Sequence, residues 1–199
     1  MAENRISVDV FKNKTIENLS KGFADVNSKL DTGSGAAVVG SVASGLLSRA
    51  AGLCKDEVSE TEKIDYICRN AENLRNYMVF LVDEDTKCRE PLARALKEGG
   101  QFEIDACMQS ACAITSEIVN MMQQLLILCR DLIVICPNDV KHYVKESAEF
   151  AFSAAKAGMI WILNRINIAS DETFLFVTKR ENEVYLKECT DIFEEIMNG

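Results

Sequence analysis

The residues from Thr32 to Gly35, with the sequence Thr-Gly-Ser-Gly, offer the first place in the chain where chemistry can be done. A glycine-rich turn at the start of a helix leaves backbone N–H groups free, and these can hold an anion or a carbonyl oxygen. The spacing excludes a nucleotide phosphate loop, because the segment has no G-x-x-x-x-G-K-[ST] motif and follows no β-branched strand run. Taken alone, the residues favour a simpler role, in which Ser34 or Thr32 caps a buried helix.

A run of three carboxylates at Asp83, Glu84 and Asp85 is the second candidate for chemistry. Carboxylates whose pKa values are tuned by their surroundings can act as general acids and general bases. Acidic residues are also favoured at a helix start by the macrodipole alone. If this run opens a short helix, a solvated helix cap is therefore the simpler interpretation.

The remaining reactive residue types form no recognisable site. The single histidine, His142, has the residue type of a general base, but a position next to Lys141 near a helix start is typical of a surface histidine. The eight cysteines include no C-x-x-C pair and lack the spacing of a zinc site or a disulfide framework. We therefore expect no metal site, and we interpret the cysteines as small core residues.

Composition limits the class of protein. At 199 residues without a composition break, the chain is expected to form one domain over residues 1–199. The net charge of −9 argues against a nucleic-acid backbone or an anionic membrane as the main partner. The N-terminal residues MAENRISVDVF contain no apolar signal-peptide core, so we expect a protein of the reducing cytoplasm.

A long stretch of small residues must position the glycine-rich turn. From Thr32 to Ser48 no side chain is charged, and most positions are Gly, Ala or Ser. The stretch is shorter than the roughly 20 strongly apolar residues that a membrane span needs, and it is rich in Gly and Ser. We therefore predict a turn that leads into a central soluble helix, packed so closely by its neighbours that only small side chains fit.

Helical periodicity runs through the rest of the chain, and no β-strand pattern is present. Two signals mark helix starts: a capping-box sequence at residues 59–62 and Asp171 before the last apolar repeat. The first predicted helix is amphipathic, from Ile16 to near Asp31, and the small-residue helix follows it. Next come a heptad helix after residue 60 and a short helix from the carboxylate run to Gly99, which Pro91 interrupts. A long helix over 102–135, one after Pro137 and a last one after Asp171 complete the chain.

These elements predict an all-α fold, an elongated antiparallel bundle of six or seven helices. In the helix after Pro137, the segment from Ala151 to Gly158 is again poor in bulk, so it is the expected close neighbour of the small-residue helix. Bulky residues occur all around this helix, which indicates burial against a second copy and therefore a homodimer: Phe150, Phe152, Met159, Ile160 and Trp161. The last helix is expected to face the core with Phe174, Val177, Val184, Ile192 and Ile196.

Four segments follow one another in a recognisable order. They are TIENLSKGFADVNSKL, TGSGAAVVGSVASGLLSRAAGL, VDEDTKC and AAKAGMIWILNRINIASDETF. Together they resemble the cyclodeaminase/cyclohydrolase family of helical folate enzymes, also found as the C-terminal domain of formiminotransferase-cyclodeaminase. The resemblance covers nearly the full length of the chain.

The resemblance implies an all-α homodimer that binds a tetrahydrofolate one-carbon derivative as its small-molecule substrate. Such an enzyme either expels ammonia from the formimino form or interconverts the methenyl and formyl forms with water. Both reactions need a proton donor and a base, which carboxylates can supply, so neither a metal nor a prosthetic group is demanded.

The resemblance also implies roles for particular residues. Asp85 is the first candidate for the acid/base role. The expected ligand contacts at the turn are Thr32, Gly33, Ser34 and Gly35. Asn164 is expected to bind the substrate amide or pterin edge, and Arg49 a folate glutamate carboxylate. Asp171 is a further expected contact, which matches the family motif with an offset of one residue. Arg49 also fits a simpler role as a helix C-terminal charge near Asp56 or Glu57.

Three positions depart from the family pattern. Residues 31–35 read Asp-Thr-Gly-Ser-Gly where the family has a Pro, three Gly and a Ser. The family's Ser-Asp pair falls near His142 and Tyr143, and its early arginine of the long helix falls near Asp105. These departures motivate an alternative hypothesis, a divergent member that keeps the dimeric bundle and serves as a non-catalytic binding or structural protein.

Overall fold

A computed structural model describes residues 11–55, 57 and 59–199, and these form six α-helices, two short 3₁₀ helices and no strand. The all-α prediction is confirmed. The stretch on which we expected no signal peptide lies, apart from Phe11, outside the described residues. The helices are α1 (Ile16–Ala24), α2 (Thr32–Cys54), α3 (Thr61–Glu98), α4 (Gln101–Ile133), α5 (Lys141–Arg165) and α6 (Glu172–Asn198), and the 3₁₀ helices span Phe11–Asn13 and Ile166–Ile168.

Helix α2 lies at the centre, packed against α3, α4 and α5. A Cβ atom at Gly40 would lie 2.9 Å from the sulfur of Met122, so α2 and α4 pack closely at this glycine. The Ser147 hydroxyl of α5 donates to the backbone carbonyl of Ala43 over 2.8 Å. This contact confirms the prediction that the helix after Pro137, α5, is a close neighbour of α2.

Helices α2 and α4 are long and apolar enough to cross a membrane by length and composition. In the bundle, 44% of the most apolar window of α2 and 56% of that of α4 are buried. Core helices pass the same test, so this is weak evidence for a membrane span.

The first helix is shorter than predicted. It ends at Ala24, because Asp25 takes an extended conformation and its carboxylate accepts a hydrogen bond from the backbone N–H of Asn27 over 2.9 Å. Such local side-chain bonds compete with the helix. The apolar face of the predicted amphipathic helix is therefore wrong at Ile16 and Val26, which are 87% and 96% exposed.

The glycine-rich segment is not a turn before α2 but the first turn of α2 itself. Its N-cap is Asp31, in an extended conformation with φ −139° and ψ −172°, and not the predicted Ser34 or Thr32. The Asp31 carboxylate accepts from the backbone N–H of Thr32 over 2.8 Å. The cap therefore brings a carboxylate to the end of α2 that holds the candidate site.

The carboxylate run lies in the middle of the long helix α3 and not at the start of a short one. Pro91 does not interrupt this helix, and the predicted capping box does not form, because the Ser59 hydroxyl donates to Glu60 instead. Asp83 and Asp85 are buried, which excludes a solvated cap. Asp83 instead accepts from the backbone N–H groups of Phe11 and Lys12 over 2.7 and 3.2 Å.

The last helix keeps its predicted start but not all of its predicted core face. Asp171 caps α6 by accepting from the backbone N–H of Phe174 over 3.0 Å, as predicted. Phe174 is partly buried, and Ile192 and Ile196 are buried as predicted, but Val177 and Val184 are 43% and 40% exposed. The buried face instead carries Asn182, whose side-chain amide donates to Ser116 of α4 and to the Thr178 carbonyl.

Candidate functional site

Asp85 is fully buried where α3 passes the first turn of α2. Its Oδ2 accepts from the backbone N–H of Ser34 over 2.8 Å and from the Ser34 hydroxyl over 2.6 Å. The Arg89 guanidinium, one turn further along α3, donates to both Asp85 oxygens. The carboxylate that the sequence singled out therefore has every oxygen occupied by protein donors.

The cross-helix contact depends on Gly33. A Cβ atom at this position would clash with Asp85 Oδ1 and would lie 2.7 Å from Nη2 of Arg89. Gly33 and Ser34 are both buried, whereas Thr32 is exposed and Gly35 is partly exposed. The four predicted ligand-contact residues of this segment thus divide into two that hold Asp85 and two that border the surface.

Arg89 connects Asp85 to two residues that the sequence analysis did not select. Its guanidinium carbon lies 4.0 Å from the centroid of the Trp161 ring, and its Nη1 lies 3.7 Å from Oδ2 of Asp31. The Arg89 side chain is only 10% exposed, and Nη1 has no hydrogen-bond partner in the structure. A buried guanidinium between two carboxylates, stacked on an indole, is a rigid electrostatic link.

Asp31 is the other carboxylate of this cluster, and its side chain is 38% exposed. Besides capping α2, it accepts from Nε1 of Trp161 over 3.1 Å on Oδ2. Burial raises the pKa of Asp31, but the Thr32 backbone hydrogen bond, the Arg89 charge and the Trp161 hydrogen bond together outweigh it, so that its pKa lies below the ordinary value. The carboxylate is therefore ionised at neutral pH.

A cleft of about 540 Å³ opens between the start of α2 and the middle of α5. Ligand sites commonly measure about 300–1,000 Å³ and combine apolar walls with a few polar groups. Asp31 is one polar group of this cleft. The other residues that line it are Phe23, Leu30, Thr32, Gly35, Ala36, Val38, Val39, Ser153, Ala154 and Ala157.

A second cavity, of about 380 Å³, shares Phe23, Leu30 and Asp31 with the cleft. Arg89 and Trp161 line this second cavity and not the cleft. Asp31 is therefore the point at which the buried Asp85–Arg89 pair and the α2–α5 cleft meet.

The other predicted contact residues lie elsewhere. Asn164 is exposed and donates from its side chain to the Ile160 carbonyl over 2.8 Å, and Asp171 is occupied as the cap of α6. Arg49 is exposed near the other end of α2, with its guanidinium 5.2 Å from the centroid of the Tyr143 ring. Its alternative neighbour Asp56 lies outside the described residues. The structure brings none of these three residues to the lining of the cleft.

Asp31, Arg89 and Trp161 are not identified from the sequence, each for a different reason. The predicted first helix ends near Asp31, and this position gives no sign that the residue caps α2. Nothing local marks Arg89, four residues after Asp85, as the partner of Asp85 except the spacing of one helical turn. That spacing was a usable signal once residues 61–98 are recognised as one helix. Trp161 is more than 70 residues further along the chain, so only the packing of α5 reveals it.

The cluster combines an accessible carboxylate, that of Asp31, with a buried one, that of Asp85. Asp31 can accept hydrogen bonds from a ligand in the cleft, and Asp85 fixes Ser34 and Arg89 behind it. Among the described residues, no group of three or more His, Cys, Asp or Glu side chains is arranged to hold a metal ion.

Comparison with known proteins gives a family match in sequence and matches to solved structures. The sequence model of the formiminotransferase-cyclodeaminase family matches residues 15–185. The crystal structure of formiminotetrahydrofolate cyclodeaminase from Thermotoga maritima superposes with a TM-score of 0.89 at 16% sequence identity, covering 94% of this chain and 96% of that one. At this identity the superposition shows the fold alone. None of the individually curated proteins matches the sequence.

Proposed function

Because the chain belongs to the formiminotransferase-cyclodeaminase family, we propose that it is a folate one-carbon enzyme. It acts either as a formiminotetrahydrofolate cyclodeaminase, an ammonia lyase, or as a methenyltetrahydrofolate cyclohydrolase. The observation that carries the proposal is the carboxylate cluster of Asp31 and Asp85, which adjoins a cleft of ligand size at the start of α2.

In this proposal Asp85 is the acid/base group. Loss of ammonia requires a proton on the departing amine, and attack by nitrogen or water requires a base. Asp85 is fully buried between the Ser34 hydroxyl and the Arg89 guanidinium, so substrate must displace one of them to reach it. Arg89 can leave Asp85 without losing all of its contacts, because Trp161 and Asp31 also hold it.

The test is turnover of purified protein on 5-formiminotetrahydrofolate and on 5,10-methenyltetrahydrofolate. We expect one of the two to react well above its spontaneous rate, and we expect Asp85→Asn to abolish that reaction. Asp83→Asn is the matched control, because Asp83 is also a buried carboxylate of α3 but binds the backbone of Phe11 and Lys12. Circular dichroism must show that both variants fold. Full turnover in folded Asp85→Asn protein would remove Asp85 from the mechanism.

One observation favours the alternative, a non-catalytic binding or structural protein. Both oxygens of the Asp85 carboxylate are already bound by Ser34 or Arg89, as those of a purely structural buried ion pair would be. If neither folate reacts above its spontaneous rate while a reduced folate still binds, the alternative replaces the enzyme.

We also propose that two copies associate through the face that surrounds the cleft. Met159 and Trp161, which we expected to need a partner copy, are buried within the chain, but Phe150 and Ile160 of α5 are 43% and 57% exposed. On α2 the neighbouring residue Val42 is 50% exposed. Along each helix, the exposed apolar residues and the residues of the cleft wall follow one another at steps of three and four. They therefore lie on the same side of the helix and form one continuous face.

Sedimentation velocity tests this association. Val42→Glu should turn a dimer into a monomer, because a charge in an apolar interface loses its water. Phe176→Glu on α6 is the control, since Phe176 is 72% exposed on another helix. A monomeric wild type, or dissociation by the control alone, would contradict this choice of face.

The compartment that we propose is the cytoplasm. All eight cysteines are unpaired, and five of them are buried. Burial raises the pKa of Cys112 and of Cys129 to about 12, so these thiols stay protonated and unreactive. Unpaired core thiols are typical of proteins from reducing compartments.

A further inference from the structure

We infer that Asp31 is the residue with which this protein recognises its ligand, and that the ligand offers it a pair of N–H donors on a planar group, as an amidine or a 2-aminopyrimidine edge does. Asp31 is the starting point because, of the two carboxylates that Arg89 connects, only this one is accessible. Its side chain is 38% exposed, whereas that of Asp85 is 0% exposed.

The Asp31 carboxylate can accept one further donor on each of its oxygens. Its Oδ1 accepts from the Thr32 N–H over 2.8 Å and, in a long contact of 3.4 Å, from the Thr32 hydroxyl, and its Oδ2 accepts from the Trp161 indole over 3.1 Å. Arg89 Nη1, at 3.7 Å from Oδ2, lies beyond hydrogen-bond distance. Because an ionised carboxylate offers about two acceptor sites on each oxygen, one site on Oδ2 is open, and a ligand N–H can take the site on Oδ1 that the rotatable Thr32 hydroxyl holds only weakly.

The two oxygens that carry these acceptor sites are fixed in space. The backbone of α2 orients Oδ1, and an indole that is 95% buried orients Oδ2, since Trp161 is only 5% exposed. A preorganised carboxylate with one site on each oxygen that a ligand can reach matches two parallel N–H donors better than it matches a single one. This geometry selects the amidine type of ligand group.

The cleft walls select the rest of the ligand. Among the described residues that line the cleft, Asp31 is the only charged one. The walls beside it are apolar, formed by Phe23, Leu30, Val38, Val39 and Ala157. The cleft therefore fits a flat, largely uncharged ring system that ends in a cationic or N–H-rich group.

This inference deepens the proposed function and rests on it for the identity of the substrate. The pterin ring of a tetrahydrofolate carries a 2-aminopyrimidine edge, whose ring N–H and 2-amino group offer the paired N–H donors that Asp31 can accept. A formimino group does not offer such a pair, because the ring nitrogen that bears it has no hydrogen and only its terminal nitrogen can donate. The two groups can be separated by comparing a folate that has the formimino group with one that lacks it.

The test uses Asp31→Asn and a small probe that is not a folate. Asparagine is as good an N-cap as aspartate, so α2 keeps its start, but one acceptor oxygen becomes a donor and the charge is lost. Asp25→Asn is the matched control, because Asp25 lies in the same connection and borders the second cavity without lining the cleft. Benzamidine, a planar ring with an amidinium group, is the probe, and binding is followed by calorimetry.

We expect benzamidine to bind wild type and Asp25→Asn saturably, and to bind Asp31→Asn about tenfold or more weakly, the loss expected for a charge-assisted hydrogen-bond pair. The inference is overturned if benzamidine fails to bind wild type, or if it binds Asp31→Asn equally well. This result does not depend on the proposed function.

The folate titrations then test whether the pterin edge supplies the N–H pair. If it does, Asp31→Asn weakens the binding of 5-formyl- and 5-formiminotetrahydrofolate to a similar degree. Weaker binding of the formimino compound alone would mean a single donor in place of the pair and would overturn the inference, as would unchanged binding of both folates. If benzamidine binding depends on Asp31 while wild type binds neither folate, the inference stands and the proposed function fails.

Discussion

Gly33 and Gly40 lie two turns apart on α2, and different kinds of side chain pack against them. A Cβ atom at Gly33 would meet the ion pair of Asp85 and Arg89. A Cβ atom at Gly40 would meet the flexible ends of Met78 and Met122. The same small residue thus brings a buried charge pair against one part of α2 and apolar side chains against the next.

This difference shows that two glycines of one helix have different roles, one in core packing and one in the candidate site. At Gly40 the small side chain serves interior packing, which tolerates adjustment because methionine is flexible. At Gly33 it lets the backbone N–H and the hydroxyl of Ser34 on α2 donate to the Asp85 carboxylate. The candidate site is therefore a property of the first turn of α2 and not of its small-residue composition.

The largest effect should come from removing the charge at the first turn. Arg89→Met leaves Asp85 buried without its cation, and breaking a buried pair from one side costs about 3–5 kcal/mol of unfolding free energy. Arg75→Met is the control, because the Arg75–Glu72 pair is 43% and 42% exposed and such a pair is worth less than about 1 kcal/mol. Urea unfolding of both variants measures the difference. Equal losses would mean that the Asp85–Arg89 pair contributes no more than a surface pair.

A smaller effect should separate the two glycines directly. Gly33→Ala forces the ion pair apart and should cost about 1–3 kcal/mol, as overpacking of a rigid site does. Gly40→Ala should cost less, because the methionine ends can rotate away and alanine gains about 1 kcal/mol of helix propensity. Thermal unfolding of the two variants ranks them. If Gly40→Ala proves the more damaging substitution, the contrast between the two surroundings is wrong.

The smallest effect concerns acid. The pKa of Asp31 is lower in the folded protein than its ordinary value of 3.8, so the ionised carboxylate stabilises the folded state. This contribution is complete above the ordinary pKa and is lost as the pH falls through the folded-state pKa. Between about pH 5 and pH 2 the unfolding free energy of wild type should fall more than that of Asp31→Asn, by less than about 1 kcal/mol for a partly exposed group. Parallel curves for the two proteins would contradict the lowered pKa.

The helices themselves were largely predictable, because apolar periodicity marks them in the sequence. The heptad positions Ile64, Ile67 and Met78 are fully buried, and Gly99 and Gly100 separate α3 from α4 as expected. What failed was the continuity of α3 through Pro91. A proline signals a helix break by its missing N–H, but it cannot show whether packing against α4 compensates for that loss.

The candidate site was predictable only in part. Asp85 and the Thr32–Gly35 segment were selected from the sequence, and the structure places Ser34 and Asp85 in direct contact. Asp31 and Trp161 could not be found in this way, because their contact joins residues 130 positions apart. Long-range pairs of this kind depend on how α5 packs on α2, which no local pattern encodes.

Titration of the purified protein with a stable reduced folate, such as 5-formyltetrahydrofolate, tests the central claim most directly. A ligand that binds only the folded state must raise its stability, by about 2.7 kcal/mol at a concentration of 100 Kd. We predict a saturable rise in Tm with the folate and a smaller rise for Asp31→Asn, which would place the folate at the cleft. An unchanged Tm at high folate concentration would contradict the assignment of the α2–α5 cleft as a folate site.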